Sequence, residues 1–180
     1  SALAQGDAGI LLIDDYSDDH TVSIARDVAG GRVRVVRPAE HRGLGSARLA
    51  GLEQLTTPYG MWLDADDELL PGRVDRFVRA FEQRQADIVT DAAELADGVT
   101  GEMTGTLPIP SFMLNVHPLA RLFERNYLPS SATIGFRRAV ARAIGYDATL
   151  THAEDSDFML RAVVAGASIA LLDHPGYRLY

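Results

Sequence analysis

The chain has 180 residues, 47% of them hydrophobic, with a mean hydropathy of −0.02 and no cysteine. That fits one soluble globular domain large enough for a real core, and it excludes disulfide and thiolate chemistry. A formal net charge of −8 argues against a nucleic-acid-binding protein, whose affinity rests on cations neutralising phosphates. All 17 basic residues are arginine, which removes enzyme classes that need a lysine base, Schiff base or phosphate anchor. No apolar run approaches the roughly 20 residues of a membrane span, and the first residues lack the pattern of a signal peptide. The chain is therefore expected in the cytoplasm, with a peripheral seat at the inner membrane face left open.

Residues 9–13 (GILLI) form a short, continuously apolar run ending on Asp14, the pattern of a strand buried on both faces. The polar, turn-like DDYSDDH follows. Helical spacing occupies 20–29 and closes at Gly30-Gly31, and 32–37 (RVRVVR) reads as a valine-rich strand. Residues 44–55 have helical periodicity with Leu44, Ala47, Leu52 and Leu55 on one face. Residues 59–63 (YGMWL) are a second apolar strand running directly into acid. Pro71 suits the first turn of a helix continuing to 85, and 86–90 (ADIVT) is a further strand. From 94 to 118, with prolines at 108, 110 and 118, the pattern weakens into an irregular excursion over the sheet, where acceptor loops tend to lie. Regularity returns with a strand at 132–136, helices at 138–144 and 153–165, and a last strand at 168–172. This alternation predicts an α/β architecture, a mainly parallel sheet flanked by helices. No repeat, linker or low-complexity tract divides the chain, so 1–180 reads as a single domain.

In open α/β sheets ligands bind beyond the carboxyl ends of the strands, and the acids of this chain collect there. Asp14-Asp15 follow the first apolar run; Asp64, Asp66 and Asp67 follow the YGMWL run. Two aspartates one residue apart on a turn can hold a magnesium or manganese ion that also grips phosphate oxygens. Each acidic group also has a plain structural explanation. Asp14-Asp15 suit a turn or helix cap, Asp64-Ala65-Asp66-Asp67 a solvated turn, and Glu154-Asp155 the positive end of a helix dipole. The five histidines (20, 41, 117, 152 and 174) lack zinc-ligand spacing. Phe112, Met113, Leu114 and Tyr127 suit either an acceptor site or core packing.

Taken in order, these segments resemble the inverting family-two glycosyltransferases of GT-A fold, the Rossmann-like fold of nucleotide-diphospho-sugar transferases. ILLIDDYSDD is similar to that family's acid-pair strand and Ser-x-Asp turn, and HRGLGSARLAGL to its glycine-arginine helix entrance. YGMWLDADDELLPGRV resembles its DxD strand and the helix after it. LPSSATIGFRRAVARAIGYDATLTHAEDSDFMLRAV resembles its acceptor side, with a Glu-Asp pair and a terminal Leu-Arg. The resemblance implies transfer of a sugar from a nucleoside-diphosphate donor to an acceptor hydroxyl with inversion, assisted by Mn2+ or Mg2+. It implies that Asp15 meets the nucleotide base with Asp14 supporting the turn, that Arg42 and Arg48 approach the nucleotide, and that Asp64 sits near ribose or metal. Asp66 becomes the main metal ligand, Asp155 the catalytic base, and Glu154 and His152 acceptor-side residues; Arg161 suits a structural ion pair. Uridine diphosphate is the donor nucleotide expected first, with thymidine and guanosine forms open. The acceptor is a carbohydrate, a lipid or a small molecule.

The chain departs from the family pattern at both ends. It starts on SALAQ, which looks like the tail of the helix that follows the family's first, central strand. Residues before Ser1, or another chain, are expected to supply that strand; a sheet continuous and fully paired within 1–180 would overturn this. At the other end Tyr180 stands where a histidine sometimes completes the metal site, and His41 and Leu49 replace usual asparagines. These departures keep a catalytically inactive nucleotide-sugar-binding module of the same fold as the alternative. A haloacid-dehalogenase-type phosphatase or a response-regulator receiver would need a lysine this chain lacks. GLGSAR has Arg48 where a dinucleotide fold needs a small residue for close packing.

Overall fold

The computed structural model describes residues 1–38, 43–109 and 130–180. The first apolar run is strand β1 (Ile10–Ile13), and helix α1 (Thr21–Ala29) carries the chain to β2 (Val33–Val36), which pairs with β1 in parallel. Helix α1 stops where Gly30 takes φ 56 and its N–H closes on Arg26 O, a backbone state that costs glycine little. Helix α2 (Leu44–Gln54) then leads to β3 (Tyr59–Met61).

The second sheet has six strands in the order β3-β7-β5-β8-β4, with β6 on β5. Its members are β4 (Glu68–Leu69), β5 (Ile88–Ala96), β6 (Met103–Leu107), β7 (Ile134–Arg137) and β8 (Ile169–Leu179). Helix α3 (Arg73–Gln83) precedes β5, while α4 (Arg138–Ile144) and α5 (Glu154–Val164) connect β7 to β8. The period-two alternation of β5 divides the core. Ile88 packs with Leu52, Ile134, Phe136, Tyr146, Phe158 and Met159 on the α2–α4–α5 side. Val89 packs with Phe77, Phe81 and Ala170 on the α3 side. Gly135 lies on that second side, where an added Cβ would come within 2.9 Å of Phe77 Cε1, so the absent side chain lets α3 seat.

The α/β class of the sequence reading stands, but the sheet is mixed rather than mainly parallel. Among the described residues only β1–β2 and β5–β8 pair in parallel, while β3–β7, β4–β8, β5–β6 and β5–β7 are antiparallel. Strand–helix alternation signals layers and is silent on strand direction where a connection returns along the same edge. The irregular excursion expected over 94–118 is corrected as far as residue 109, its remainder lying outside the described residues. β5 runs on to Ala96 and turns into β6, the two meeting from Ala93–Leu107 onward. The last strand is likewise longer than 168–172, because β8 continues through Pro175 and Gly176 to Leu179. Its second half pairs with both β4 and β5. In α2 the buried residues are Gly45, Arg48, Gly51 and Leu52; of the expected face Leu52 is in the core and Leu55 packs against it, but Leu44 is exposed. Arg42, Phe112, Met113, Leu114, Tyr127, His41 and His117 lie outside the described residues.

Among the described residues the two sheets share no hydrogen-bonded strand pair, so β1 and β3 each keep one edge without a partner. Helix α2 lies over both, for a Cβ on Gly51 would be 2.9 Å from Ile13 Cδ1 and 3.3 Å from Trp62 Cη2.

Beneath α3, Arg73 and Asp91 form an ion pair with neither side chain exposed to solvent. Arg73 Nε and Nη2 donate to the two carboxylate oxygens, each at 3.0 Å, and Nη2 also to Ala132 O at 3.2 Å. The guanidinium lies over the rings of Phe77 (4.5 Å) and Tyr177 (5.0 Å). Such a planar, bidentate and stacked seat suits arginine alone among the cationic side chains.

Candidate active site

Where β3 ends the backbone turns through Asp64, Ala65, Asp66 and Asp67, and Asp67 N–H closes the turn on Asp64 O at 3.2 Å. The three carboxylates of this turn have different surroundings. Asp64 is half-buried; Ser130 Oγ donates to its Oδ2 at 3.5 Å, and Arg48 Nη2 lies 3.5 Å from Oδ1. Burial pushes its carboxyl above the usual range, against the pull of Arg48 and with added repulsion from Asp67 and Asp66. Asp67 accepts from Tyr177 Oη at 2.9 Å and from the Tyr180 N–H at 3.2 Å. Its carboxyl too is raised by burial, with those hydrogen bonds opposing. Asp66 is exposed and has no hydrogen bond or ion pair among the described residues.

Arg48 ties this turn to the far side of the cleft. It is 5% exposed, so its charge must be matched locally. Its Nε sits 3.1 Å from Glu154 Oε1, its Nη2 faces Asp64, and its guanidinium lies 5.4 Å from the Trp62 ring centroid. Trp62 Nε1 donates to Tyr146 Oη at 2.8 Å, and burial pushes the Tyr146 hydroxyl up to about 12. Arg48 reaches this position because α2 can press against the loop before α5. A Cβ on Gly45 would run into Asp147 O and come within 2.7 Å of Leu150 O.

Helix α5 starts at Glu154, after Ala153 in a left-handed conformation (φ 58), and opens with three acids, Glu154, Asp155 and Asp157. They face the positive end of the helix dipole, as the structural explanation requires. They then diverge: Glu154 is buried against Arg48, Asp157 pairs with Arg161 one turn on, and Asp155 is half-buried with Oδ1 accepting the Ser156 N–H at 2.7 Å. Arg161 is thus the structural ion-pair residue expected, and it also donates to Ile144 O. His152 is exposed, its Nδ1 2.9 Å from Thr151 Oγ1.

The turn after β1 holds Asp14 and Asp15. Asp14 is 2% exposed. It accepts from Ser17 N–H at 3.0 Å and from Arg37 Nε at 2.9 Å, with Arg37 Nη2 on the same oxygen. Tyr16 between them and Ser17 takes φ 68, an uncommon state for a bulky residue. It is held by donating to Pro38 O at 3.1 Å, with the Arg37 guanidinium over its ring. Hydrogen bonds from Ser17 and then Arg37 hold the Asp14 carboxyl down to about 2. A folded-state value below the unfolded one contributes stability above the unfolded range and loses it as pH falls. The stability difference between wild type and Asp14→Asn is therefore expected to shrink as pH drops from about 4 to about 2, checked by urea unfolding across that interval.

No three His, Cys, Asp or Glu side chains converge as a metal cage among the described residues. The acidic turn nonetheless fits a hard divalent ion of the kind held by one or two carboxylates plus substrate phosphates and water. Asp66 is accessible and Asp64 adjoins it, while Asp67 is already committed to Tyr177 and Tyr180. Sequence reasoning missed Arg37, Ser130, Trp62, Tyr146 and Tyr177. Tyr177 was legible only as the start of a Tyr-Arg-x-His-like ending, beyond the last expected strand at 168–172.

Mixed strands flanked by helices, with an acidic turn at a strand end joined through arginine to an acidic helix start, match the GT-A fold expected from the sequence. The chain matches Glycosyl transferase family 2 over residues 1–145, and it belongs to that family. It is 30% identical to the succinoglycan biosynthesis protein ExoU of Rhizobium meliloti (strain 1021), over 98% of this chain and 55% of that protein. It is 27% identical to the putative glycosyltransferase EpsH of Bacillus subtilis (strain 168), over 93% of this chain and 51% of that protein. Among solved structures it superposes on S. aureus TarS 1-349 in complex with UDP-GlcNAc, with a TM-score of 0.78 and 19% identity, over 99% of this chain and 52% of that one. The chain thus spans about half the length of the curated relatives it matches. Among the described residues no helix is long and apolar enough to cross a membrane.

Proposed function

We propose that the protein transfers a sugar from a uridine-diphosphate donor to an acceptor hydroxyl with inversion at the anomeric carbon. The observation that carries this is Arg48, whose single guanidinium spans Asp64 of the acidic turn and Glu154 at the start of α5. It brings a diphosphate-side acid and the acceptor-side acids within one side chain of each other. Membership of the family supports transferase activity. The fold shared with a protein solved in complex with UDP-GlcNAc favours a uridine nucleotide. The name of ExoU, a succinoglycan biosynthesis protein, favours a carbohydrate acceptor.

In this mechanism Asp15 takes the nucleotide base, while Asp14, locked by Ser17 and Arg37, keeps the turn in shape. Asp64 and Asp66 would hold Mn2+ or Mg2+ beside the ribose and diphosphate, and the ion would supply positive charge against the departing diphosphate. The Asp155 carboxylate takes the proton of the acceptor hydroxyl. The freed oxygen lone pair forms the new bond to the anomeric carbon from the face opposite the diphosphate. The bond to the diphosphate oxygen breaks with its electron pair leaving on the nucleotide. Glu154, neutralised by Arg48, holds the helix start and excludes a second base.

The test is thermal shift with UDP, GDP and dTDP, each with and without Mn2+. At a hundredfold excess over Kd, a ligand bound only to the native state adds about 2.7 kcal/mol. For a domain of this size each kcal/mol raises Tm by roughly 2–4 °C. Wild type is expected to rise by several degrees with UDP only when Mn2+ is present, and Asp66→Asn not at all. A shift that is independent of Mn2+, or retained in Asp66→Asn, would defeat the assignment of the acidic turn.

A further inference from the structure

We propose that the Tyr177 hydroxyl is a positioning group for the acidic turn, and that Asp67 is the anchor of that turn rather than a ligand. This rests on the assignment of Asp66 to the cation. Tyr177 lies near the end of β8, fully buried, in register with Leu69 of β4. Its hydroxyl accepts the Asp64 backbone N–H at 3.0 Å and donates its only proton to Asp67 Oδ2 at 2.9 Å. One oxygen thereby ties the first residue of the turn to the last. The other oxygen of Asp67 is taken by the Tyr180 N–H, so both halves of that carboxylate are spent on β8. Asp64 is engaged by Arg48 and Ser130, which leaves Asp66 as the exposed acid of the three.

The phenol has little freedom to swing away. Its ring is faced by the Arg73 guanidinium, which Asp91 clamps from the other side. Beside it, a Cβ on Gly176 would collide with Asp91 Oδ2, and Leu70 N–H bonds Gly176 O at 2.9 Å. The buried pair, the aromatic ring and the turn thus form one connected support, and the carboxylate of Asp66 is presented by the backbone that this support fixes. Groups that hold ligand-bearing backbone or orient ligands typically change metal affinity when removed, without touching the metal themselves.

Tyr177→Phe keeps the ring and its seat over Arg73 and removes only the oxygen. The measurement is Mn2+ uptake, alone and with UDP, by electron paramagnetic resonance of the free ion, together with the Mn2+ dependence of turnover. Tyr177→Phe is expected to weaken Mn2+ binding by about 10- to 100-fold. The Mn2+ concentration needed for half-maximal turnover rises by the same factor, and kcat recovers at saturating Mn2+. A purely structural role would lower Tm and leave that concentration where it is in wild type. Asp67→Ala removes the anchor from the other end and should shift the Mn2+ dependence in the same direction, which keeps the proposal testable if Tyr177→Phe folds poorly. If Asp66→Asn loses Mn2+ while Tyr177→Phe and Asp67→Ala bind it as wild type does, the positioning role is overturned and the cation assignment survives. If Asp66→Asn binds Mn2+ as wild type does, the cation assignment fails and the proposal falls with it.

Discussion

Asp155→Asn is expected to slow sugar transfer by about 10²- to 10⁴-fold, the range a positioned general base contributes, with Mn2+-dependent UDP binding unchanged. The amide has the shape of the carboxylate and can still accept the Ser156 N–H that Asp155 Oδ1 now takes at 2.7 Å. It cannot take up a proton near neutral pH. The helix start would keep Glu154 and Asp157 in its first turn, so the loss of one charge there costs only about 0.3–1 kcal/mol. A Tm close to that of wild type is therefore expected, and measuring it separates loss of the base from loss of the fold. Glu154 offers no substitute, because it is buried and bound to Arg48 at 3.1 Å. Steady-state transfer assays beside UDP titrations check both halves of the expectation. Equal turnover in wild type and variant would remove Asp155 from the mechanism; no turnover in either, with UDP bound, would favour the binding module.

Arg73→Met is expected to destabilise the fold by about 3–5 kcal/mol, because it strands a buried carboxylate. Asp91 has no solvent-exposed surface, and burial already raises its carboxyl against the pull of Arg73. Without the guanidinium it loses both 3.0 Å hydrogen bonds, and it would fold only by taking up a proton. The pair is weaker evidence for stability than its geometry suggests, since Arg73 Nη1 finds no hydrogen-bond partner among the described residues. Replacing a whole buried pair by apolar groups of similar volume is often neutral or better. The double variant Arg73→Met/Asp91→Leu should accordingly recover most of the loss, and urea unfolding of the three proteins decides it. A double variant as unstable as the single one would mean that packing against Phe77 and Tyr177, and not the charge, holds α3 in place.

Part of this architecture was legible because strands announce themselves as unbroken apolar runs, although β1 and β3 are half-buried along their length rather than buried on both faces as expected. GILLI and YGMWL were visible for that reason, and so were the acids placed beyond their carboxyl ends. The stretch around Asp91 and Glu94 was not, because a strand bearing two acids reads as a loop until their arginines are known. Arg73 comes from 18 residues upstream, and Arg178, paired with Glu94, from 84 residues downstream. Pro175 and Gly176 hid the second half of β8 in the same way. Gly176 is required there by Asp91 Oδ2, a contact no local pattern announces. In α2 the leucine periodicity found Leu52 and Leu55 but not the glycine–arginine side, where the helix approaches its neighbours through Gly45 and Gly51 and buries Arg48 between acids. Within the site, the motifs identified the charged residues, while the neutral groups that differentiate them, Ser130, Tyr146 and Tyr177, follow only from tertiary contacts.

The interruption between the two sheets has a consequence for handling the molecule. An open strand edge is a template for any other strand, and the ILLI and YGM segments that border it are apolar and free of charge. What opposes recruitment of one copy by another is the mutual repulsion of chains carrying a net charge of −8. That repulsion decays over a Debye length of about 8 Å at physiological ionic strength and about 3 Å at 1 M salt. As far as the described residues go, edge and charge thus oppose one another, and added salt weakens only the charge.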